Sequence, residues 1–359
     1  MRRWFGLMAF ITLSYGCTQH GRKVEPAFYY WKTVYQADET EQAYLSGLGA
    51  KRLFVRIMDV DNQGPNGEPI PVSPIVFKDT LPDSLQLVPV VFIANQVLKD
   101  RTEAELDGLA ERVSAFVLGK IKQAGKSEFD ELQIDCDWTA STREAYFHLL
   151  DRIRQRMPAG TLLSATLRLH QVRNPHSSGT PPVDKVLLMC YNMGNLRRFG
   201  PQNSILDINE MRVYLKGYLR AYPLPMDVAL PLFSWSVVFR DGQYAGISKR
   251  LDPALLSDTA LFNPLDDTSL FRLKAPLPRA GLRKGDIIRR EHVGYADVRR
   301  AARFLADELP AADFTLLYYH LDKNLLAGLP AETSSALSHV PSPQQLFTHA
   351  SLQEIIDCF

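Results

Sequence analysis

The run Leu132-Gln133-Ile134-Asp135-Cys136-Asp137-Trp138-Thr139 alternates apolar and polar residues with a period of two. In an extended strand that period puts Gln133, Asp135, Asp137 and Thr139 on one face, and Leu132, Ile134, Cys136 and Trp138 on the other. Two carboxylates stacked on an interior face repel, and each makes the other harder to ionise. Such a pair is suited to acid–base chemistry; the structural alternative is a pair neutralised by neighbouring arginines. The run 162–170 repeats the alternation, with Ser164, Thr166, Arg168 and His170 on one side. Arg168 is thus a partner for Asp135 or Asp137. His170, at the rim, is either a proton carrier or a solvated loop residue. Arg56 is a second interior cation. Aromatic residues gather at the ends of other apolar runs: Tyr30 and Trp31, Tyr191, Phe233 and Trp235, Tyr318 and Tyr319. Aromatic faces suit the C–H faces of sugar rings, while carboxylates and Asn192 suit their hydroxyls.

The elements that must position these residues alternate in type. Strands are expected at 27–35, 52–60, 87–94, 132–139, 162–170, 186–193, 228–238 and 314–321. Helices are expected at 102–124, 141–157, 208–221 and 295–309. Leu106, Leu109, Val113, Phe116, Val117 and Ile121 set the helical period in the first of these. Ser141 and Glu144 have the spacing of a capping box at the start of the second. Eight β-strands, most followed by a helix, in about 300 residues predict one closed α/β (β/α)8 TIM barrel, with its site at the C-terminal ends of the strands. The first strand is not followed by a Gly-x-Gly-x-x-Gly turn, which argues against an open dinucleotide-binding sheet. Residues 27–330 form the expected barrel. Residues 61–83, rich in Pro and Gly, interrupt the rhythm after strand two. Residues 240–286 form an insertion after strand seven that reads as an excursion over one barrel mouth. Residues 331–359 are a C-terminal extension.

The strand-four run resembles the Asp-x-x-Asp-x-Asp-x-Glu signature of family 18 glycoside hydrolases, the chitinase-like proteins. Met189-Cys190-Tyr191-Asn192 is similar to that family's strand-six Met-x-Tyr-Asp. The run from Ala229 to Trp235 is similar to its strand-seven Gly-x-Pro-x-Tyr-Gly, and that from Leu317 to Asp322 to its strand-eight Trp-x-x-Asp. The chain also resembles an uncharacterised group of bacterial lipoproteins carrying a domain of unknown function. The family 18 resemblance implies that Asp137 positions a substrate acetamide with Asp135 behind it, and that Tyr191 and Tyr319 line the cleft, Tyr319 in place of the floor tryptophan. The family's general acid is the last Glu of the strand-four signature. Here that position holds Thr139, whose hydroxyl cannot protonate a leaving glycosidic oxygen at neutral pH, and the first Asp of the signature falls on Leu132.

The chain opens Met1-Arg2-Arg3, continues with a short apolar run from Trp4 to Leu13, and reaches Ser14-Tyr15-Gly16-Cys17. A basic start, an apolar run too short to span a bilayer, and small residues before a cut describe a secretory signal. Gly16-Cys17 resembles a bacterial lipoprotein site, so residues 1–17 are expected to be a signal peptide with Cys17 lipidated and 18–26 a polar tether. The protein is then expected to be exported and held on a membrane facing the periplasm or cell surface. Cys136, Cys190 and Cys358 read as free thiols.

With 41 basic and 40 acidic residues the net charge is +1, so no global field draws nucleic acid or an anionic membrane. No glycine loop cradles phosphate and no Cys/His spacing suits a metal, so no cofactor is expected. Three functions remain. One is a barrel that binds glycan without hydrolysing it, its substrate-binding residues being Trp31, Arg56, Arg168, His170, Tyr191, Asn192, Trp235, Tyr319 and Asp322. Another is an active glycoside hydrolase with Asp137 as acid, Asp135 raising its pKa, and a second carboxylate from Asp59, Asp61 or Asp322. The last is a scaffold lipoprotein without a ligand.

Overall fold

The computed structural model describes residues 22–248, 250–265, 269–326 and 347–359. Cys17 and the expected signal peptide, residues 1–17, lie outside the described residues. Eight parallel strands form the barrel: Val24–Tyr30, Arg52–Asp61, Gln86–Ile93, Glu131–Asp135, Leu162–Leu167, Lys185–Met189, Met226–Pro231 and Phe314–Tyr319. Each pairs with the next in the chain, and the eighth pairs with the first through Val24 and Phe314, so the sheet closes. Strand one starts at Val24, inside the stretch expected to be tether.

Helices Glu39–Gly47, Glu103–Gln123, Arg143–Arg154, Ile208–Leu215 and Tyr295–Glu308 pack outside, with His349–Ile356 following strand eight. Glu103–Gln123 begins at a closed capping box: the Thr102 hydroxyl accepts from Glu105 N, and the Glu105 carboxylate accepts from Thr102 N at 2.8 Å. Its buried Leu106, Leu109, Val113, Val117 and Ile121 are the periodic residues of the sequence. The box expected from Ser141 does not form. Thr142 takes the N-cap position, and its hydroxyl is used instead by Thr139 N at 3.0 Å and Asn95 Oδ1 at 2.6 Å. The helix expected to reach 221 stops at Leu215, and Gly217 adopts φ +79° just beyond it. Between strands two and three, prolines at 65, 69, 71 and 74 leave no uninterrupted turn for a helix. That stretch instead holds the short strands Ile70–Val72 and Val76–Phe77.

The expected strand 228–238 is two strands. Strand seven ends at Pro231, and Trp235–Arg240 opens a separate five-stranded antiparallel sheet with Gln243–Ile247, Phe262–Pro264, Leu270–Leu273 and Ile287–Glu291. The insertion therefore extends past 240–286 on both sides. It has a small apolar core of its own, including Val238, Phe262, Leu273 and Ile288. No helix among the described residues is long and apolar enough to cross a membrane.

The N-terminal end of the barrel is stitched by buried charges. Glu131 pairs with Lys185 at 2.8 Å and with Arg52, and accepts from Ser164 Oγ at 2.6 Å. Lys185 also meets Asp227 at 2.6 Å, which accepts from Thr315 N at 2.8 Å. Burial alone would raise the Glu131 pKa, but the Lys185 and Arg52 charges more than offset it and hold the carboxyl below its ordinary value. Such a network replaces lost hydration with partners on six strands, which fixes the register at that end.

Candidate functional site

Strands four and five carry a ladder of polar groups from this base toward the mouth. Gln133 accepts from the buried Tyr29 hydroxyl, and its amide approaches Ser164 Oγ at 3.5 Å. One level up, Thr166 Oγ1 donates to Asp135 Oδ1 at 2.7 Å. At the rim, Arg168 grips Asp137 with two parallel bonds, Nε to Oδ1 at 2.6 Å and Nη2 to Oδ2 at 2.8 Å. Gln133 and Asp135 share the inward face of strand four, as the period of two requires, and Asp137, two residues past its end, is held on the same side by Arg168. The other face is apolar: Trp138 stacks on Tyr146 at 4.9 Å, and Cys136 is buried.

The two carboxylates have different surroundings. Asp135 is only 8% exposed. Burial first, and then the Asp137 charge, push its pKa from an ordinary 3.8 to about 7, against the pull of Thr166 and Arg168. Asp137 is half exposed, with both oxygens accepting from the guanidinium. Burial, the largest single effect, would lower the Arg168 pKa, but the bonds and charge of Asp137 together with the Asp135 charge outweigh burial and raise it. Fork-to-fork geometry of this kind is among the stronger charged contacts in proteins.

A second Arg–Asp pair is contributed by strand two. Arg56, 4% exposed, holds Asp59 through Nε at 2.6 Å and Nη2 at 2.6 Å, and donates to Ser73 O at 3.1 Å. The Asp59 charge acts on both Asp135 and Tyr319. The two ion pairs therefore share one mouth with Asp135.

Aromatic rings form the rest of the basin. Tyr319 lies at its centre, with ring centroids 4.9 Å from Tyr191, 5.4 Å from Trp31, 5.5 Å from Phe233 and 5.6 Å from Tyr29. Trp235 meets Phe233 edge-on at 5.2 Å, and its indole N–H is buried without a hydrogen-bond partner. Burial raises the pKa of the Tyr29, Tyr191 and Tyr319 hydroxyls, so these remain neutral donors. A cavity of about 400 Å³ opens beside the basin, lined by Arg168, Asn192, Gly194, Leu196, Ser204 and Trp235.

The insertion builds the far wall of that cavity. Trp235, Phe239, Arg289 and Glu291 share one face of its sheet. Arg289 is fully buried and pairs with Glu291 at 2.7 Å. It also donates to the carbonyls of Leu196 at 3.0 Å and Arg198 at 2.6 Å. Glu291 accepts from Ser204 N at 2.6 Å and Ser204 Oγ at 2.7 Å. The loop that follows strand six is thereby clamped to the insertion.

Most residues expected at the site converge here: Asp135, Asp137, Trp31, Arg56, Arg168, Tyr191, Asn192, Trp235 and Tyr319. Asn192 takes a left-handed φ of +54°, and its carbonyl faces Arg168 Nη1 at 3.5 Å. His170 lies on the short helix Leu169–Arg173 rather than on a strand. It is exposed, and burial of its ring and the Arg168 charge lower its pKa. Asp322 does not join the group, because its carboxylate closes a turn by accepting from Asn324 N at 3.0 Å and Nδ2 at 2.8 Å. Asp61 likewise accepts from Asn62 and Gln63 in its own loop and from Gln96 in the loop after strand three. Tyr30 and Tyr318 point out of the barrel, toward Val34 O and Leu352 O. Tyr29 takes the inward place that Tyr30 does not, and its alternation with Ala27 and Trp31 is the signal that marks it. Arg289 and Glu291 pair locally, but the loop groups they clamp lie about 90 residues away in the chain, so the clamp carries no local signal. Among the described residues, no group of three or more His, Cys, Asp or Glu could hold a metal ion.

No family model matches the sequence, and no curated protein matches it. Solved structures do resemble the fold. The Bacillus cereus spore cortex-lytic enzyme SleL is 14% identical, with a TM-score of 0.52 over 94% of this chain and 75% of that one. The Bacillus megaterium SleL is 12% identical, with a TM-score of 0.51 over 94% and 74%. A chitinase from Chromobacterium violaceum is 14% identical, with a TM-score of 0.47 over 82% and 94%. At these identities the likeness concerns the backbone alone: the chain shares the (β/α)8 barrel fold of the two SleL enzymes.

Proposed function

We propose that the chain is an exported, lipid-anchored protein whose barrel mouth binds a glycan and does not hydrolyse it by the family 18 route. The observation that carries this reading is the bidentate Arg168–Asp137 pair at the rim. Where the family 18 resemblance calls for an Asp free to turn toward an acetamide and a Glu to protonate the leaving oxygen, this chain has an Asp bound at both oxygens and Thr139. The partly exposed rings of Trp31, Tyr319 and Trp235 offer faces to sugars at the mouth. The shared fold with spore cortex-lytic enzymes and chitinases supports a glycan as the ligand.

Calorimetric titration with chitooligosaccharides, after a wider glycan array, tests the binding. Trp235→Ala should weaken the best ligand about tenfold, the scale of one lost stacking contact. Equal binding by the variant overturns the assignment of the cleft.

One observation favours a second reading, a hydrolase with a rearranged acid. Asp135, with its pKa near 7, holds a proton that it could donate at neutral pH. Release of reducing sugar that disappears in Asp135→Asn would establish that reading in place of the first.

A further inference from the structure

The geometry points to a fixed orientation of the anchored protein: the barrel mouth faces away from the bilayer that holds the Cys17 lipid. Its glycan ligand is then reached from the far side, and not as a sugar headgroup of the same membrane. This inference rests on the lipid-anchor reading of Cys17.

The chain is held to the underside of the barrel from Arg22 onward. The Arg22 guanidinium donates to the carbonyls of Ala306 and Pro310. Lys23 N donates to Asp313 Oδ1 at 2.8 Å, and Phe314 N donates back to Lys23 O at 3.2 Å. These contacts sit where strands one and eight begin, at the end opposite Asp137 and Tyr319. Five peptide steps separate Cys17 from Arg22, a reach of about 18 Å at full extension. Strand one then climbs away from that point for seven residues, about 23 Å along its length, and the mouth loops lie beyond. To press the mouth onto the bilayer, the tether would have to pass around the helical ring and span roughly 30 Å or more. It is too short.

Charge does not oppose this arrangement. Around the strand starts on this underside, Lys23, Lys51, Lys126 and Arg220 are mixed with Glu25, Asp83, Glu128 and Asp313. No single-sign patch there binds or repels a lipid surface strongly, so tether length sets the orientation.

The test uses the full-length lipidated protein on phosphatidylcholine vesicles containing a rhodamine-labelled lipid. In a Cys358→Ser background, with Cys136 and Cys190 buried, one donor dye is placed at Glu128→Cys on the underside and, separately, one at Thr139→Cys on the rim; both positions are exposed. Energy transfer to the lipid should be several-fold stronger from position 128 than from 139. Inserting twenty Gly/Ser residues after Gly21 should abolish the difference. Equal transfer from the two positions with the native tether, or stronger transfer from 139, overturns the orientation. Cys17→Ser protein should not load onto vesicles. If it loads like the parent, or the parent fails to load, the anchor reading falls and the inference with it; loading through Cys17 with equal transfer refutes the orientation alone.

Discussion

Replacing Asp135 with Asn should make the protein more stable at pH 8 than at pH 4, relative to the parent. Asp135 is 8% exposed and rests on the Thr166 hydroxyl, with its pKa raised from 3.8 to about 7 by burial and by Asp137. Between those values the folded chain keeps a proton that the unfolded chain has released, so parent stability falls as pH rises. The fall is complete once the pH passes about 7. A gap of about three pH units at about 1.4 kcal/mol each amounts to about 4 kcal/mol. Asparagine does not titrate, keeps an oxygen for Thr166 to donate to, and escapes this loss. Other buried groups, such as Glu131 and Asp227, are common to both proteins and cancel in the difference. Urea unfolding followed by tryptophan fluorescence at pH 4, 5, 6, 7 and 8 measures it, provided the slopes agree. The variant-minus-parent free energy should rise by about 4 kcal/mol across that range. A flat difference, or one that falls with pH, refutes the account of Asp135 as a buried acid.

Three other outcomes follow from the same geometry. Arg168→Met removes a charge that pulls the Asp135 pKa down and frees the Asp137 carboxylate, so Asp135 should titrate above about 7 in carboxyl-carbon NMR; a downward movement contradicts the electrostatic picture. Arg289→Met strands the fully buried Glu291 and should cost about 3–5 kcal/mol. Amide exchange at 196–204 should accelerate with it, and unchanged protection would show that the clamp does not hold the cavity wall. In Cys17→Ser protein a thiol reagent should modify Cys358 quickly, while Cys136 and Cys190 wait for denaturant, because burial raises both thiol pKa values.

The barrel was legible because its signals are local. Period-two runs mark strands, period-3.6 runs mark helices, and their alternation leaves one closed topology. The expected strand 228–238 hid a boundary, since the run from Pro231 to Trp235 is apolar apart from Ser234 while the chain leaves the barrel for the insertion sheet. The expected capping box at Ser141 lost to a tertiary contact, the Thr142 hydroxyl reaching Asn95 on another loop. Neither event leaves a trace in the neighbouring residues.

The site divides the same way. Alternation along strands four and five was enough to put Asp135 and Thr166 on one inward face, because a strand has only two faces and parallel neighbours keep register; Asp137 and Arg168 continue that side just past the strand ends. It could not say which carboxylate Arg168 takes, and that choice separates their chemistry: Asp137 is bound at both oxygens, and Asp135 is left in a buried setting where the acid form is favoured. It also could not bring Arg56 and Asp59 to the same mouth, exclude Asp322, or find the Arg289–Glu291 clamp. Those depend on distances between segments far apart in the chain, and on how much water the packed mouth admits. Side-chain type and strand parity are properties of the sequence, whereas desolvation and charge pairing exist only once the eight strands have closed.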